Sequence, residues 1–296
     1  MTNNKEICFE AYANIYSNQG AITKGVNDNT LDGFSEERIE GIMEQLRQKR
    51  YRYAPVKRVY IPKRNSSKKR PLGVPTGDDK LVQEVTRILL ERIYEPIFSE
   101  YSHGFRPNRS CHTALEQVRK KWTGIKWFIE FDLRSFFDSM SHEVMFSLLE
   151  KRIDDKRFIK LIGCMLKAGY LEEWKYYPTY SGSPQGGIVS PILSGIYLHG
   201  LDCFAEQLIQ QFRKGKRRQR HPEYKELAYQ KVFIRKEIDR VGKKPHLVSQ
   251  LWELDDRQKM LPQGDPFDEN FRRLRYCRYA DDCAPRTLRE RMSDAA

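Results

Sequence analysis

Arg278-Tyr279-Ala280-Asp281-Asp282 is the stretch on which the reading of this chain turns. Two adjacent carboxylates repel each other unless a cation or an arginine neutralises them. A third carboxylate, Asp132, ends the apolar run Phe128-Ile129-Glu130-Phe131-Asp132-Leu133, where packing supplies no reason for a charge. Carboxylates at the ends of two separate strands offer the hard oxygen ligands that Mg²⁺ takes. Two such ions about 3.5–4 Å apart can clamp the attacking and leaving oxygens of an in-line displacement. Glu130 alternates onto the same strand face as Asp132 and is either a further ligand or a solvated neighbour. The competing readings are an N-cap at Asp132 and a turn at Asp281-Asp282. Their joint occurrence in a basic chain favours nucleotidyl transfer.

The chain has 296 residues, with 53 Lys and Arg against 40 Asp and Glu, a net charge of +13. That excess favours anionic partners, nucleic acid ahead of a membrane surface. An aromatic content of 12% argues against global disorder. No apolar run approaches the roughly 18 residues of a membrane span, so no membrane partner is expected. The polar start Met1-Thr-Asn-Asn-Lys-Glu lacks the apolar core of a signal peptide. The six cysteines show no CxxC spacing and read as reduced thiols, which with the polar start predicts a cytoplasmic protein.

Outward from the carboxylates, periodicity predicts the frame. Ser35 caps a helix whose Ile39, Ile42, Met43 and Leu46 recur at helical spacing. Residues 53–74 read as two strands joined by the basic tip Lys63-Arg64-Asn65-Ser66-Ser67-Lys68-Lys69-Arg70. Helical spacing returns over 78–98, and Gly104-Phe-Arg-Pro-Asn-Arg-Ser110 is a turn-rich loop before a helix from about His112. Residues 126–133 read as an apolar strand, Ser141 opens another helix, and Ile188–Leu201 reads as a buried helix with Pro191 in its first turn.

In the loop Ser181-Gly182-Ser183-Pro184-Gln185-Gly186-Gly187, glycine lets backbone approach a ligand and Gln185 presents both donor and acceptor. Lys63 and Arg70 flank the basic tip, where two cations suit a triphosphate; a solvated turn is the plainer alternative. Arg213, Lys214, Lys216, Arg217, Arg218 and Arg220 crowd one exposed stretch and suit a phosphate backbone or a solvated face.

Five blocks in order carry a resemblance: Arg70-Pro-Leu-Gly-Val-Pro-Thr76, Gly104-Phe-Arg-Pro-Asn-Arg-Ser-Cys-His112, Phe131-Asp-Leu-Arg-Ser-Phe-Phe-Asp138, Gly182-Ser-Pro-Gln-Gly-Gly-Ile-Val-Ser-Pro191 and Arg278-Tyr-Ala-Asp-Asp282. Over about residues 35–282 the chain resembles the reverse transcriptase portion of bacterial group II intron-encoded proteins, which also act as splicing maturases. Retron-type and diversity-generating lineages match these blocks less well. The resemblance implies an α+β right-hand polymerase with fingers and a ferredoxin-like antiparallel palm sheet backed by helices, the thumb absent. It divides the chain into an N-terminal helical extension (1–50), fingers (51–125), palm with the nucleotide-pocket loop (126–206), a basic helical insertion (207–274), and a catalytic strand with a short tail (275–296).

By the same resemblance Asp132, Asp281 and the carbonyl of Leu133 ligate two Mg²⁺ ions, with Mn²⁺ an expected substitute, and Asp282 supports them. Phe137 stands at the steric-gate position that selects deoxynucleotides. Lys63 and Arg70 grip the triphosphate, while Gln185 and Gly186 line the nucleotide pocket. The expected partners are intron RNA, an RNA template with a DNA primer, and dNTPs. The tail from Cys283 departs from the family: Pro285 and the charges after it fit a continuing strand poorly. The hairpin is therefore expected to be malformed or completed by another molecule; separately, apolar palm surface left uncovered without a thumb makes a homodimer a further expected partner. A catalytically inactive RNA-binding fragment is the alternative function.

Overall fold

The computed structural model describes residues 4–62, 67, 69–125, 127–183 and 186–283. Lys63, Gln185 and the tail beyond Cys283 lie outside them. In chain order the elements are helices α1 (Lys5–Tyr16) and α2 (Glu36–Arg47), strands β1 (Val56–Pro62) and β2 (Lys69–Val74), helices α3 (Gly77–Tyr94) and α4 (Cys111–Lys121), strand β3 (Phe131–Asp132), helices α5 (Phe136–Ser139), α6 (His142–Glu150) and α7 (Lys156–Leu166), strands β4 (Tyr170–Glu172) and β5 (Lys175–Tyr177), helices α8 (Ser190–Phe212), α9 (Pro222–Val241) and α10 (Pro245–Lys259), and strands β6 (Arg278–Tyr279) and β7 (Asp282–Cys283). The class is α+β, as expected. Among the described residues two compact units emerge: those within 4–121, 129–203 and 277–283 form one, those within 122–128 and 204–276 the other.

In the first unit, Ser35 and Ser141 cap their helices, accepting from Arg38 N at 3.3 Å and Val144 N at 3.4 Å. Helix α3 runs through the middle of this unit, and most of its residues are buried, polar ones included. Each buried polar group then needs a partner. Lys80 Nζ donates to the carbonyls of Gly20 and Thr23 at 2.8 and 2.7 Å. Asp79 accepts from Tyr51 Oη, Thr76 Oγ1 and Ala54 N. Its apolar faces feed two cores: Leu81, Val82, Val85 and Ile88 pack with α1 and α2, while Leu90 and Tyr94 pack with α6, α7 and the start of α8. Leu149 and Ile162 there are fully buried, so truncating either to alanine is worth about 2–5 kcal/mol.

A four-stranded sheet of order β2-β1-β4-β5 joins the antiparallel hairpin β1–β2, in register from Lys57 opposite Val74 to Pro62 opposite Lys69, to β4, which runs parallel to β1. A smaller antiparallel sheet of order β3-β7-β6 carries the carboxylates. The expected strand over 126–133 shortens to Phe131–Asp132. Asp132 and Phe131 pair with Asp282 and Cys283, and Trp127 and Ile129 are exposed. Helix α8 runs eleven residues past the expected Leu201, because 202–212 hold no glycine or proline.

In the second unit α9 and α10 pair through Leu227 and Leu247, their buried apolar residues, and through Lys231, which bonds Asp255 and donates to Gln258 Oε1 at 2.9 Å. Gly242 turns the chain between them at φ 84°. Among the described residues no helix is long and apolar enough to cross a membrane.

Candidate active site

Strand register sets two of the three predicted carboxylates opposite each other, with the third beside them in the chain. Asp132 lies directly opposite Asp282 in the β3–β7 pair. Tyr279 lies opposite Asp282 in the β6–β7 pair, so Ala280-Asp281 is the two-residue turn between those strands. Opposed residues leave the sheet on the same face with Cβ atoms about 4.5–5.5 Å apart. Like charges so opposed destabilise a ladder unless a cation lies between them. Asp132 is exposed and Asp281 and Asp282 are half-buried, so the cluster is open to solvent.

The donor set is all oxygen, which suits Mg²⁺ or Mn²⁺. Two residues before Asp132, Glu130 Oε2 is buried with no hydrogen-bond partner among the described residues. Among those residues no three ligating side chains converge tightly enough to hold an ion unaided. Mg²⁺ commonly takes one or two carboxylates and completes its shell with water and substrate phosphates, and the arrangement fits that mode.

Two-residue strands cannot hold such a hairpin alone, and the surrounding loop does so. Arg278 N donates to Tyr101 O and His103 N to Arg278 O, both at 2.9 Å, laying residues 101–103 beside β6. Arg278 is buried at 1% exposure against Asp202 at 0%. Ala280 sits at φ 56°, a left-handed conformation costing a non-glycine residue about 1–2 kcal/mol. A Cβ at Gly104 would lie 2.2 Å from Ala280 N, so only glycine lets this loop close on the turn. The hairpin is formed as far as Cys283, and the segment on which the expectation of a malformed hairpin rests lies outside the described residues.

His103 is wedged between Thr113 Oγ1 (2.8 Å to Nδ1) and Gln117 Oε1 (2.9 Å to Nε2). Burial, against a smaller opposing effect of the Gln117 bond, holds its pKa below the usual histidine value.

On either side of residues 184–185, Gly182 abuts α5 and Gly186 abuts β2. Gly182 (φ 82°) leaves no room for a Cβ, which would meet Phe137 O at 2.6 Å; at Gly186 (φ 96°) it would meet Leu72 Cδ1 at 2.5 Å. Gly182 N donates to Met140 O and Ser183 N to Phe137 O, both at 2.7 Å. His142 Nε2 donates to Gly182 O at 2.7 Å, and Ile188 N to Gln83 Oε1 at 2.9 Å. Phe137 and Ser181, Gly182 and Ser183 border a cavity of about 420 Å³ with Arg58, Pro71, Gly73, Tyr170 and Tyr180. Leu133 and Phe137 each pack their side chains on the larger core. Arg70 is exposed on β2, opposite Ile61 and outside that cavity lining.

The basic stretch is held in shape. Lys214 pairs with Arg272 and Arg220 with Gly264 in isolated bridges. Arg273 donates to the carbonyls of Lys214, Gly215 and Lys216 at 3.0, 2.9 and 3.1 Å. Arg218 and Arg273 stand 5.1 and 4.3 Å from the Phe271 ring. Arg213, Lys216, Arg217 and Arg220 are exposed. Arg272 and Arg273 join this group although the sequence reading passed over them.

That reading also missed Asp202, Ser102, Gln83 and His142. Asp202 had a signal: it is a lone carboxylate in the largely apolar stretch 188–205.

Residues 61–218 match the family described as "Reverse transcriptase (RNA-dependent DNA polymerase)". The group II intron-encoded protein LtrA of Lactococcus lactis subsp. cremoris is 47% identical over 278 residues, 94% of this chain and 46% of that protein. A putative COX1/OXI3 intron 1 protein of Saccharomyces cerevisiae is 37% identical over 280 residues, 94% of this chain and 32% of that protein. An uncharacterized 91 kDa protein in the cob intron of Schizosaccharomyces pombe is 46% identical over 209 residues, 71% of this chain and 26% of that protein. The chain thus spans half or less of the length of these relatives. A solved chain of a partial Cas6-RT-Cas1–Cas2 complex matches at 18% identity over 88% of this chain and 48% of its own, with a TM-score of 0.43, too low to bear on the assignment. The family match, set on a hairpin that opposes Asp132 to Asp282, identifies the chain as a member of the reverse transcriptase (RNA-dependent DNA polymerase) family, on the branch of its group II intron-encoded relatives.

Proposed function

We propose that this chain copies RNA into DNA by transferring deoxynucleotides from dNTPs to a primer 3′-hydroxyl, in the cytoplasm and in association with intron RNA. The observation that supports this most directly is the register opposing Asp132 to Asp282, with Asp281 in the adjoining turn. Asp132 and Asp281, with the Leu133 carbonyl, would hold two Mg²⁺ ions, which when bound supply charge neutralisation of the reacting phosphate oxygens. Asp282 adds negative charge on the same face and keeps divalent cations favoured there. Phe137, fixed by its carbonyl bond to Ser183, would stand against the sugar and disfavour a 2′-hydroxyl. Arg70, with Lys63, would bind the triphosphate, and Gln185 with Gly186 the nucleotide. Most of the acceleration would come from positioning and charge stabilisation.

The test is primer extension on an RNA template with Mg²⁺ and dNTPs. Activity lost in Asp132→Asn and Asp281→Asn, with ribonucleotides newly accepted by Phe137→Ala, is the expected result. Equal extension by Asp132→Asn and the unaltered chain would overturn the reading.

The second reading, an RNA-binding role without catalysis, is favoured by the basic group at 213–220, whose backbone is tied by Arg273. It predicts salt-sensitive RNA binding that weakens in Arg217→Ala/Arg220→Ala and survives Asp281→Asn.

A further inference from the structure

We infer that Arg278 and Asp202 are positioning residues that aim the Asp281 carboxylate, and not only a staple between α8 and β6; this rests on the function proposed above. Arg278 makes a two-pronged pair with Asp202, Nε to Oδ1 at 2.8 Å and Nη2 to Oδ2 at 2.5 Å. Side-chain exposures of 2% and 0% make both charges dry. A buried ion pair is weak evidence of a stability role, because apolar replacements often serve as well. The reason for keeping it lies in the remaining donors. Nη2 also donates to Ser102 Oγ at 2.8 Å, and Nη1 donates to Ala280 O at 2.7 Å.

That carbonyl belongs to the peptide linking Ala280 to Asp281. Its direction fixes the plane from which Asp281 departs, at a turn held in the left-handed region without glycine. A guanidinium has a rigid planar fork, so the bearing of Asp202 on one edge sets the bearing of Nη1 on the other. Lysine would keep the charge and lose that geometry. Asp202 thus acts on the carboxylate hairpin through Arg278, although it is distant in sequence and lies on a helix that contributes none of the site carboxylates.

The experiment titrates Mn²⁺ into the full chain and follows free ion by electron paramagnetic resonance, with Asp132→Asn defining non-site binding. Arg278→Lys is expected to weaken the Asp132-dependent site about tenfold while RNA affinity is kept; the melting temperature reports folding separately. Ser102→Ala, which removes one bond to the fork, should weaken it about threefold. Should Arg278→Lys fail to fold, Ser102→Ala and Asp202→Glu decide alone. Mn²⁺ affinity within twofold of the unaltered chain in the folded variants, whatever their melting temperature, would overturn the inference and leave the pair a staple. Absence of any Asp132-dependent Mn²⁺ site in the unaltered chain would overturn the proposed function itself, and this inference with it.

Discussion

The two sheets of the first unit solve the same problem in opposite ways. The larger sheet rests on ladder length: β1 and β2 match over six residue pairs. Its β4–β5 turn tolerates two non-glycine residues in the left-handed region, Glu173 at φ 48° and Trp174 at φ 63°, with Trp174 90% exposed. The carboxylate sheet has two-residue strands and one left-handed residue, Ala280, almost wholly buried. There the fork of Arg278 and the missing Cβ of Gly104 replace ladder bonds. Strain sits on the surface where regular pairing is ample, and inside a side-chain clamp where pairing is scarce.

The largest test of that contrast removes one arginine from each sheet. Arg278→Met leaves Asp202 charged, buried and without its guanidinium, and is expected to cost about 3–5 kcal/mol in denaturant unfolding. Arg58→Met removes a ring contact of 3.4 Å to Tyr170 and a 3.7 Å pair with Glu172, both partly solvated, and should cost about 1 kcal/mol. Equal losses would mean that the short sheet does not depend on its clamp.

A smaller effect runs the other way. Replacing Glu173-Trp174 by Asn-Gly puts favoured residues in the tight turn and should stabilise the chain by about 1–2 kcal/mol. A lower melting temperature would show that Trp174 is held by packing and not merely displayed.

The smallest concerns His103, which abuts the clamp through its backbone. Its pKa is held down by burial, so the unfolded chain takes up the proton more readily. The resulting stability is full above the ordinary histidine value near 6.5 and is lost as pH falls through the folded value. Between pH 7.5 and 5.5 the unaltered chain should therefore lose more in melting temperature than His103→Gln does. Parallel losses would assign the acid sensitivity elsewhere.

What was legible in the sequence is what repeats or stands out locally. The serines at 35 and 141 announced their helices, alternation around Val56–Val74 announced the longest hairpin, and three misplaced aspartates announced the site. The short strands β4 and β5 left no signal, because Tyr170-Leu-Glu-Glu-Trp-Lys-Tyr-Tyr177 neither alternates cleanly nor carries a favoured turn pair. The link from Asp202 to Arg278 was equally silent, since a contact across 76 positions has no period. Gly104 was visible as a turn residue, but the backbone it makes room for could be known only from the folded chain.

The outer strand β2 has one more effect. It presents Lys69, Arg70 and Pro71 in succession at the rim of the larger sheet, and β5 at the opposite rim is followed at once by Pro178. A proline has no N–H to offer an incoming strand, and clustered cations repel a like-charged neighbour. The sheet is therefore a poor template for stacking against identical chains, which helps a polypeptide with such exposed aromatics stay dispersed while it folds.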